Sequence, residues 1–415
     1  MTHDVTAPVT GSPTRQEALA WDAADPLARF RDRYLPLDEH VVAYLDGNSL
    51  GRPLASIGTA WDAAMQQWSG RLIRGWSEGW LELPGTVGDE LGAAALGAAP
   101  GQVVVADSTT VLLYKCVRAA LNLRPGRTRV VLDGEDFPTD RYVVASLARD
   151  LGLDLVWLRA QAAHGLTAED VAAAVDGRTA AVVLSHVGYR SGALADAAAI
   201  TAAAHAAGAL TVWDCSHSVG VCPIELDAWR VDLAVGCTYK FVGAGPGAPA
   251  FAYVAARHHE TLDQPVWGWL GRRDAFDMEQ GYVPAAGITR MLSGTPPVLG
   301  LLAVREGAAL IAEAGLPAIR AKSVALTEAA VALTDEWLVP AGFTLTSPRD
   351  SDRRGGHVSI ARADARRVCA RLVDRGVLPD FRRPDVLRLG LSPLPGSRTE
   401  LWDAMAVLRA VAHDS

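Results

Sequence analysis

Asp214 and Lys240 each close a short apolar run. Ala-Leu-Thr-Val-Trp213 precedes Asp214-Cys-Ser-His217, and Leu-Ala-Val235 precedes Gly-Cys-Thr-Tyr239-Lys240. The two residues are 240 − 214 = 26 positions apart, and a glycine-rich turn, Gly243-Ala-Gly-Pro-Gly247, follows the lysine. A third run, Val-Val-Val105, leads to Thr109 and Thr110 at the start of a helical stretch. These residue types suit pyridoxal phosphate. A lysine amine forms an imine with an aldehyde and, once displaced, moves protons. A carboxylate opposite the pyridine nitrogen keeps it protonated, which lets the ring accept electrons. Hydroxyls and N–H groups at a helix start bind phosphate, helped by the helix dipole. Phe137, in Asp136-Phe-Pro-Thr-Asp140, follows another run and is placed to stack on the ring.

Singly, each residue has a plainer explanation. Tyr-Lys after a strand is usually surface, and Asp after a strand is often a turn or cap. A Thr pair at a helix start looks like any N-cap. His217 and Phe137 could simply belong to the core. Their order and context together carry the reading.

The elements that must position these residues follow a regular pattern from about residue 100. Apolar runs at Val103–Ala106, Val130–Leu132, Leu153–Leu158, Ala180–Leu184, Ala209–Trp213, Leu233–Val235 and Ala248–Val254 read as strands. Helical stretches at Val111–Leu121, Tyr142–Leu151, Ala168–Val175 and Asp196–Ala207 lie between most of them. Continuous apolar strands alternating with helices predict a mostly parallel sheet covered on both faces, with ligands at the C-terminal strand ends. Upstream, residues 1–15 read as a loose tail, Glu17–Ala24 as a short helix, and Asp25-Pro26 as the start of another running to Phe30. After about Gly300 long helices with scattered strands predict a smaller domain. The expected divisions are 1–15 for the tail, 16–55 for a segment packing with the small domain, 56–300 for the large domain and 301–415 for the small one.

The totals agree with this. A chain of 415 residues, half of them apolar, is too long for one compact core and too apolar for disorder. Its formal charge of −8 argues against nucleic-acid binding. The start lacks the pattern of a signal peptide, and no apolar run reaches membrane-spanning length. Five cysteines without CxxC spacing read as reduced thiols in a cytoplasmic protein.

From about Tyr44 to Trp402 the chain resembles the kynureninase family, in the class V aminotransferase group. The marks are Tyr44-Leu-Asp-Gly-Asn-Ser-Leu-Gly51, Leu83-Pro-Gly-Thr-Val-Gly-Asp89, Asp136-Phe-Pro-Thr-Asp140, Trp213-Asp-Cys-Ser-His-Ser218, Gly236-Cys-Thr-Tyr-Lys240 and Gly268-Trp-Leu-Gly271. The resemblance implies a PLP-dependent transferase fold of type I: an α/β large domain with a mostly parallel seven-stranded sheet, plus a smaller C-terminal α+β domain. It implies that Lys240 carries pyridoxal 5'-phosphate, that Tyr239 is a phosphate ligand and proton donor, and that Asp214 partners the pyridinium. His217 is then a cofactor-side helper and Phe137 the stacking ring, with Thr139 and Asp140 on the same loop. Thr109, Thr110 and Ser185 match other cofactor positions. Trp269 and Thr295 match a pair reaching the phosphate from a neighbouring subunit, which implies a homodimer. Arg388 matches the arginine that grips the substrate α-carboxylate, and Asn48, Ser49 and Trp76 match positions near the substrate. The implied reaction is hydrolysis of the Cβ–Cγ bond of L-kynurenine, or a ring-substituted kynurenine, to L-alanine and an anthranilate.

Four stretches depart from the family pattern: Gly188-Tyr-Arg-Ser-Gly192, Phe241-Val-Gly-Ala-Gly245, Leu112 where an asparagine is usual, and Pro395 where a tyrosine is usual. Losing polar groups near a site can change substrate preference. Two competing readings keep the cofactor. One is a class V relative doing transamination or carbon–sulfur cleavage, the latter needing a mobile cysteine. The other is a PLP-binding protein without turnover.

Overall fold

The computed structural model describes residues 12–414. The N-terminal stretch supplies α1 (Arg15–Ala24), β1 (Ala43–Leu45), α2 (Ala55–Arg71) and α3 (Leu83–Leu91). Strands and helices then alternate: β2 (Val103–Ala106), α4 (Thr109–Asn122), β3 (Arg129–Asp133), α5 (Pro138–Leu151), β4 (Asp154–Leu158), α6 (Ala168–Ala174), β5 (Thr179–Ser185), α7 (Ala197–Ala206), β6 (Leu210–Asp214), β7 (Leu233–Gly236) and β8 (Ala250–Val254). They form a seven-stranded sheet in the order β2-β8-β7-β6-β5-β3-β4. Only β8 runs against its neighbours, pairing antiparallel with both β2 and β7.

Because side chains alternate along a strand, this sheet buries two separate layers. Val103, Val105, Val182, Leu184 and Trp213 face one core, closed by α3, α7 and α8 (Val298–Ala314). Val104, Val130, Val183, Val212 and Val235 face the other, closed by α4 and α5. Leu112, Leu113, Cys116 and Val117 of α4 are fully buried there. Leu112 is therefore a core residue, each such side chain contributing roughly 2 kcal/mol by burial.

The C-terminal part begins with α9 (Leu316–Leu333) and continues through β9 (Thr344–Leu345), β10 (His357–Ala361), α10 (Ala365–Val373), β11 (Val377–Arg382), β12 (Val386–Gly390) and α11 (Arg398–His413). Its sheet has the order β1-β11-β12-β10-β9. The N-terminal β1 thus joins it, parallel to β11, with Ala43 opposite Val377. α1 packs on α11, while α2 packs on α8.

Two expectations near the start need correction. The loose tail was expected to reach residue 15. Residues 1–11 lie outside the described residues, but Ser12 Oγ donates to the Ala332 carbonyl and Thr14 closes a capping box with Glu17. The segment after Asp25-Pro26 forms a 3-10 turn at Ala28–Arg33 instead of an α-helix. Asp25 is drawn into a buried ion pair with Lys322 at 2.7 Å and one with Arg31 at 2.9 Å.

Candidate active site

The parallel strands bring three polar groups to one edge. Ser185 ends β5 and lies beside Asp214, which ends β6. Val235 of β7 lies on the other side of Asp214, and Lys240 follows in the next turn. That turn is locked by Gly243 N–H to Lys240 O (2.9 Å), Ala244 N–H to Thr238 O (3.0 Å) and Thr238 Oγ1 to Pro249 O (2.7 Å). Gly51 N–H donates to Tyr239 O at 2.7 Å, and a Cβ on Gly51 would fall 2.3 Å from Lys240 O. Only glycine lets the N-terminal motif approach the lysine turn so closely.

Three carboxyls gather beside this edge. Asp214 Oδ1 accepts from Ser216 N–H at 2.6 Å. Asp136 accepts from Ser185 Oγ, from Ser185 N–H at 3.0 Å and from Phe137 N–H at 3.1 Å. Burial, opposed by the Ser185 bond and aided by the Asp133 and Asp214 charges, pushes Asp136 up to about 7. Burial and the Asp214 and Asp136 charges hold the Asp140 carboxyl well above its usual range. Its Oδ2 has no hydrogen-bond donor.

Lys240 is buried, with Nζ 3.1 Å from His217 Nε2 and 5.9 Å from the ring centres of both Phe137 and Tyr239. Burial, then the Lys240 and Arg388 charges, hold His217 far below its usual range, so the imidazole is neutral. Phe137 meets Tyr189 edge to face at 5.3 Å.

A cavity of about 520 Å³ opens at the N-terminus of α4, lined by Asp107, Ser108, Thr109, Thr110, Tyr239, Ser293 and Thr295 among others. Ser108 caps the helix, its Oγ accepting from Val111 N–H. Burial pushes the Tyr239 phenol up, so it stays protonated. Hydroxyls at a helix N-terminus are a binding set for an anion.

Arg388 of β12 in the C-terminal sheet is buried, with donors reaching the β5–α7 loop and the N-terminal segment. Its Nη1 donates to Tyr189 O at 2.8 Å and its Nη2 to Ser49 Oγ at 2.9 Å, while Nε and Nη2 both reach Asp380. With its amide turned so that the oxygen points at the guanidinium, Asn48 accepts from Arg388 Nη1 at 3.2 Å and Nε at 3.3 Å. Asp380 also accepts from Arg382 at 2.8 Å. Burial, with the nearby Asp380 charge, pushes Asp46 up to about 6.

The fold brings Lys240, Tyr239, Asp214, His217, Phe137, Asp140 and Ser185 together. Thr109, Thr110 and Thr295 share the cavity with Tyr239, and Asn48 and Ser49 meet Arg388. Thr139 lies in the first turn of α5. Trp269 meets Phe276 edge to face at 5.5 Å and does not line the cavity, whereas Thr295 lines it from the same chain as Thr110. Trp76 sits on the Leu72–Glu78 turn with its ring against Trp80. Tyr189, His357 and Asp380 were not foreseen. His357 is fully buried, 6.0 Å from the His217 ring, with neither ring nitrogen hydrogen-bonded. Asp380 could have been read as the cross-strand partner of Arg388, which it faces in register.

These residues fit pyridoxal phosphate. The hydroxyl-lined cavity at a helix start suits the phosphate. A buried acid cluster with Asp214 at the strand end suits a protonated ring nitrogen, and a buried lysine beside a neutral imidazole suits the aldehyde. Among the described residues no group of His, Cys, Asp and Glu is arranged to hold a metal ion.

Residues 319–408 match the family model described as kynureninase C-terminal domain. Over 405 residues the chain is 39% identical to the kynureninase of Pseudomonas fluorescens, covering 95% of this chain and 94% of that one. Over 409 residues it is 39% identical to the kynureninase of Burkholderia pseudomallei (strain 1106a), covering 96% and 95%. In fold it is similar to a cysteine desulfurase from Thermococcus onnurineus NA1, with a TM-score of 0.81 and 19% identity over 94% of this chain and 98% of that one. A cysteine desulfurase from Escherichia coli gives 0.77 and 15%, covering 93% and 98%. Near-full-length identity at this level, together with the C-terminal match, places the chain in one group: it belongs to the kynureninase family.

Proposed function

We propose that this enzyme hydrolyses the Cβ–Cγ bond of L-kynurenine or a ring-substituted kynurenine such as 3-hydroxykynurenine. Water supplies a hydroxyl to the aryl carbonyl carbon, which leaves as the carboxyl of an anthranilate. Cβ takes a proton and leaves as the methyl of L-alanine. Pyridoxal phosphate, when bound, supplies an aldehyde for the amine and a protonated ring that withdraws electrons. The observation that carries the reading is the junction at Tyr189. Its ring touches Phe137 beside Lys240, and its carbonyl holds Arg388.

Lys240 binds the cofactor and moves the α-proton, with neutral His217 beside its amine. Asp214, with Asp140 behind it, holds the ring nitrogen's proton, and Phe137 stacks. Thr109, Thr110, Tyr239 and Thr295 take the phosphate. Protonated Tyr239 is the proton source for the alanine side. Arg388, with Ser49 and Asn48, grips the α-carboxylate by its planar fork. Ser185 and Thr139 support the cofactor side. A homodimer is part of this reading. The support is an exposed apolar stripe along α2, Trp61, Met65 and Trp68, at helical spacing, with exposed Leu72 just past the helix end. A cytoplasmic location is proposed from five unpaired cysteines and, among the described residues, no helix long and apolar enough to cross a membrane.

The similarity in fold to cysteine desulfurases does not extend to a nucleophile. Four cysteines are buried, and burial pushes the thiol of the fifth, Cys369 on α10, up. The test is product identification with PLP-loaded enzyme on kynurenine and 3-hydroxykynurenine. Equimolar alanine and the matching anthranilate are expected, and absence of both from either substrate rejects the reaction. Keto acid or sulfide as product would point to the class V alternatives. A spectral change with amino acids but no product would point to a binder.

A further inference from the structure

We propose that Lys115 is a positioning residue of the anion cradle: a buried cation that cancels the Asp107 carboxylate on the cavity wall and ties that wall to the one opposite. This rests on the reading of the α4 cavity as the phosphate site. Lys115 is 0% exposed. It lies on α4, where long side chains lean back toward the helix N-terminus. Its Nζ therefore reaches Asp107 Oδ2 at 2.6 Å and the Met291 carbonyl at 2.9 Å. Asp107 lines the cavity together with Ser108, Thr109 and Thr110, and Leu292 to Pro297, which follow Met291, form the facing wall. One ammonium group thus holds both walls.

The charge matters as much as the tie. Asp107 adopts φ +46°, a conformation uncommon for a side chain other than glycine, asparagine or aspartate. Its backbone carbonyl accepts from Ala250 N–H at 3.0 Å, fixing the turn that starts α4. The turn thereby sets a carboxylate on the rim of a site meant for an anion. An unneutralised carboxylate there would repel phosphate, and burying a lone ammonium would be equally unfavourable. The pair resolves both, leaving the helix N-terminus and the hydroxyls to set the local potential.

The test titrates the full-length apoenzyme with pyridoxal phosphate, with pyridoxal, which lacks the phosphate, and with inorganic phosphate as competitor. Lys115→Met is expected to raise the dissociation constant for pyridoxal phosphate at least tenfold and that of inorganic phosphate in parallel, leaving pyridoxal within twofold. Asp107→Asn in the Lys115→Met background is expected to restore about half of the loss on a logarithmic scale, the part owed to charge, because the tie to Met291 stays broken, and Lys115→Arg to stay near wild type. Asp107→Asn alone, measurable even if Lys115→Met fails to fold, is expected not to weaken pyridoxal phosphate. Equal weakening of pyridoxal and pyridoxal phosphate by Lys115→Met, or no recovery in the double variant, would overturn the proposal. Weakening by Asp107→Asn alone would do so too. Thr110→Val distinguishes the two layers of inference. If it leaves the preference for pyridoxal phosphate over pyridoxal unchanged, the phosphate reading falls and this proposal with it. If it erodes that preference while the Lys115 variants do not, only the present proposal falls.

Discussion

Asp380 and Arg388 face each other across β11 and β12, yet removing one should be worse than removing the other. Arg388 is 1% exposed, and Asp380 takes two of its nitrogens. Asp380 has a second cation, Arg382, at 2.8 Å. Asp380→Asn therefore leaves two guanidinium groups with no carboxylate in contact and only the Asp46 charge nearby, one of them fully enclosed. Breaking a buried pair in this way costs about 3–5 kcal/mol. The asparagine oxygen still accepts one hydrogen bond, which returns roughly 1 kcal/mol, so about 3 kcal/mol is expected. Arg388→Met instead leaves Asp380 paired with Arg382. Its cost is the lost donors to Tyr189 and Ser49, about 1–2 kcal/mol. At roughly 2 °C per kcal/mol for a large domain, Asp380→Asn should lower the melting temperature by about 6 °C and Arg388→Met by about 3 °C. The assay is thermal unfolding of the holoenzymes at one scan rate and pH 8, where Asp46 is ionised in all forms. The double variant should melt no lower than Asp380→Asn alone. Arg388→Met melting at or below Asp380→Asn would refute this charge arrangement.

Lys240→Arg should cut kcat by roughly a thousandfold or more and abolish borohydride labelling of the peptide that contains position 240, while the protein still folds. Borohydride-stable phosphopyridoxyl mass on another peptide would move the cofactor elsewhere. Asp46 is neutral below about 6, giving the Arg388–Arg382–Asp380 group a net +1, and anionic above it, giving 0. KM for a carboxylate-bearing substrate should therefore rise roughly fivefold as pH increases through 6, and Asp46→Asn should flatten that rise. An unchanged profile in Asp46→Asn would assign the titration to another group. A Cβ on Gly390 would fall 1.9 Å from the Asn48 side chain, so Gly390→Ala should push Asn48 off Arg388. The expected result is a KM at least tenfold higher with kcat less affected, and a KM within twofold of wild type would show that Asn48 has room to move.

The large sheet was readable because its strands are buried on both faces and so appear as unbroken apolar runs. Asp214 and Lys240 were readable for a related reason. A polar residue directly after such a run can only lie at the strand end, where parallel sheets gather their ligands. Tyr189 and His357 were hidden because their place at the site depends on contacts between the C-terminal sheet and the large domain, which no local pattern encodes, whereas Asp380 was legible only through the register that sets it opposite Arg388. Lys115 was hidden differently. It sits inside an amphipathic-looking helix, and only the strained Asp107 turn explains why a cation points inward there. The missed 3-10 turn after Asp25 follows the same logic, since Pro26 favours a helix start but the tertiary pairing of Asp25 with Lys322 prevails.

The placement of β1 has a consequence for biosynthesis. As the edge of a sheet whose other strands all come from the last part of the chain, it emerges early from the ribosome and must wait for β11. Until then an extended segment has open hydrogen-bonding groups, a state prone to wrong pairing. A fragment made only of the C-terminal residues should aggregate along the uncovered β11 edge, and supplying the N-terminal segment in trans should rescue its solubility.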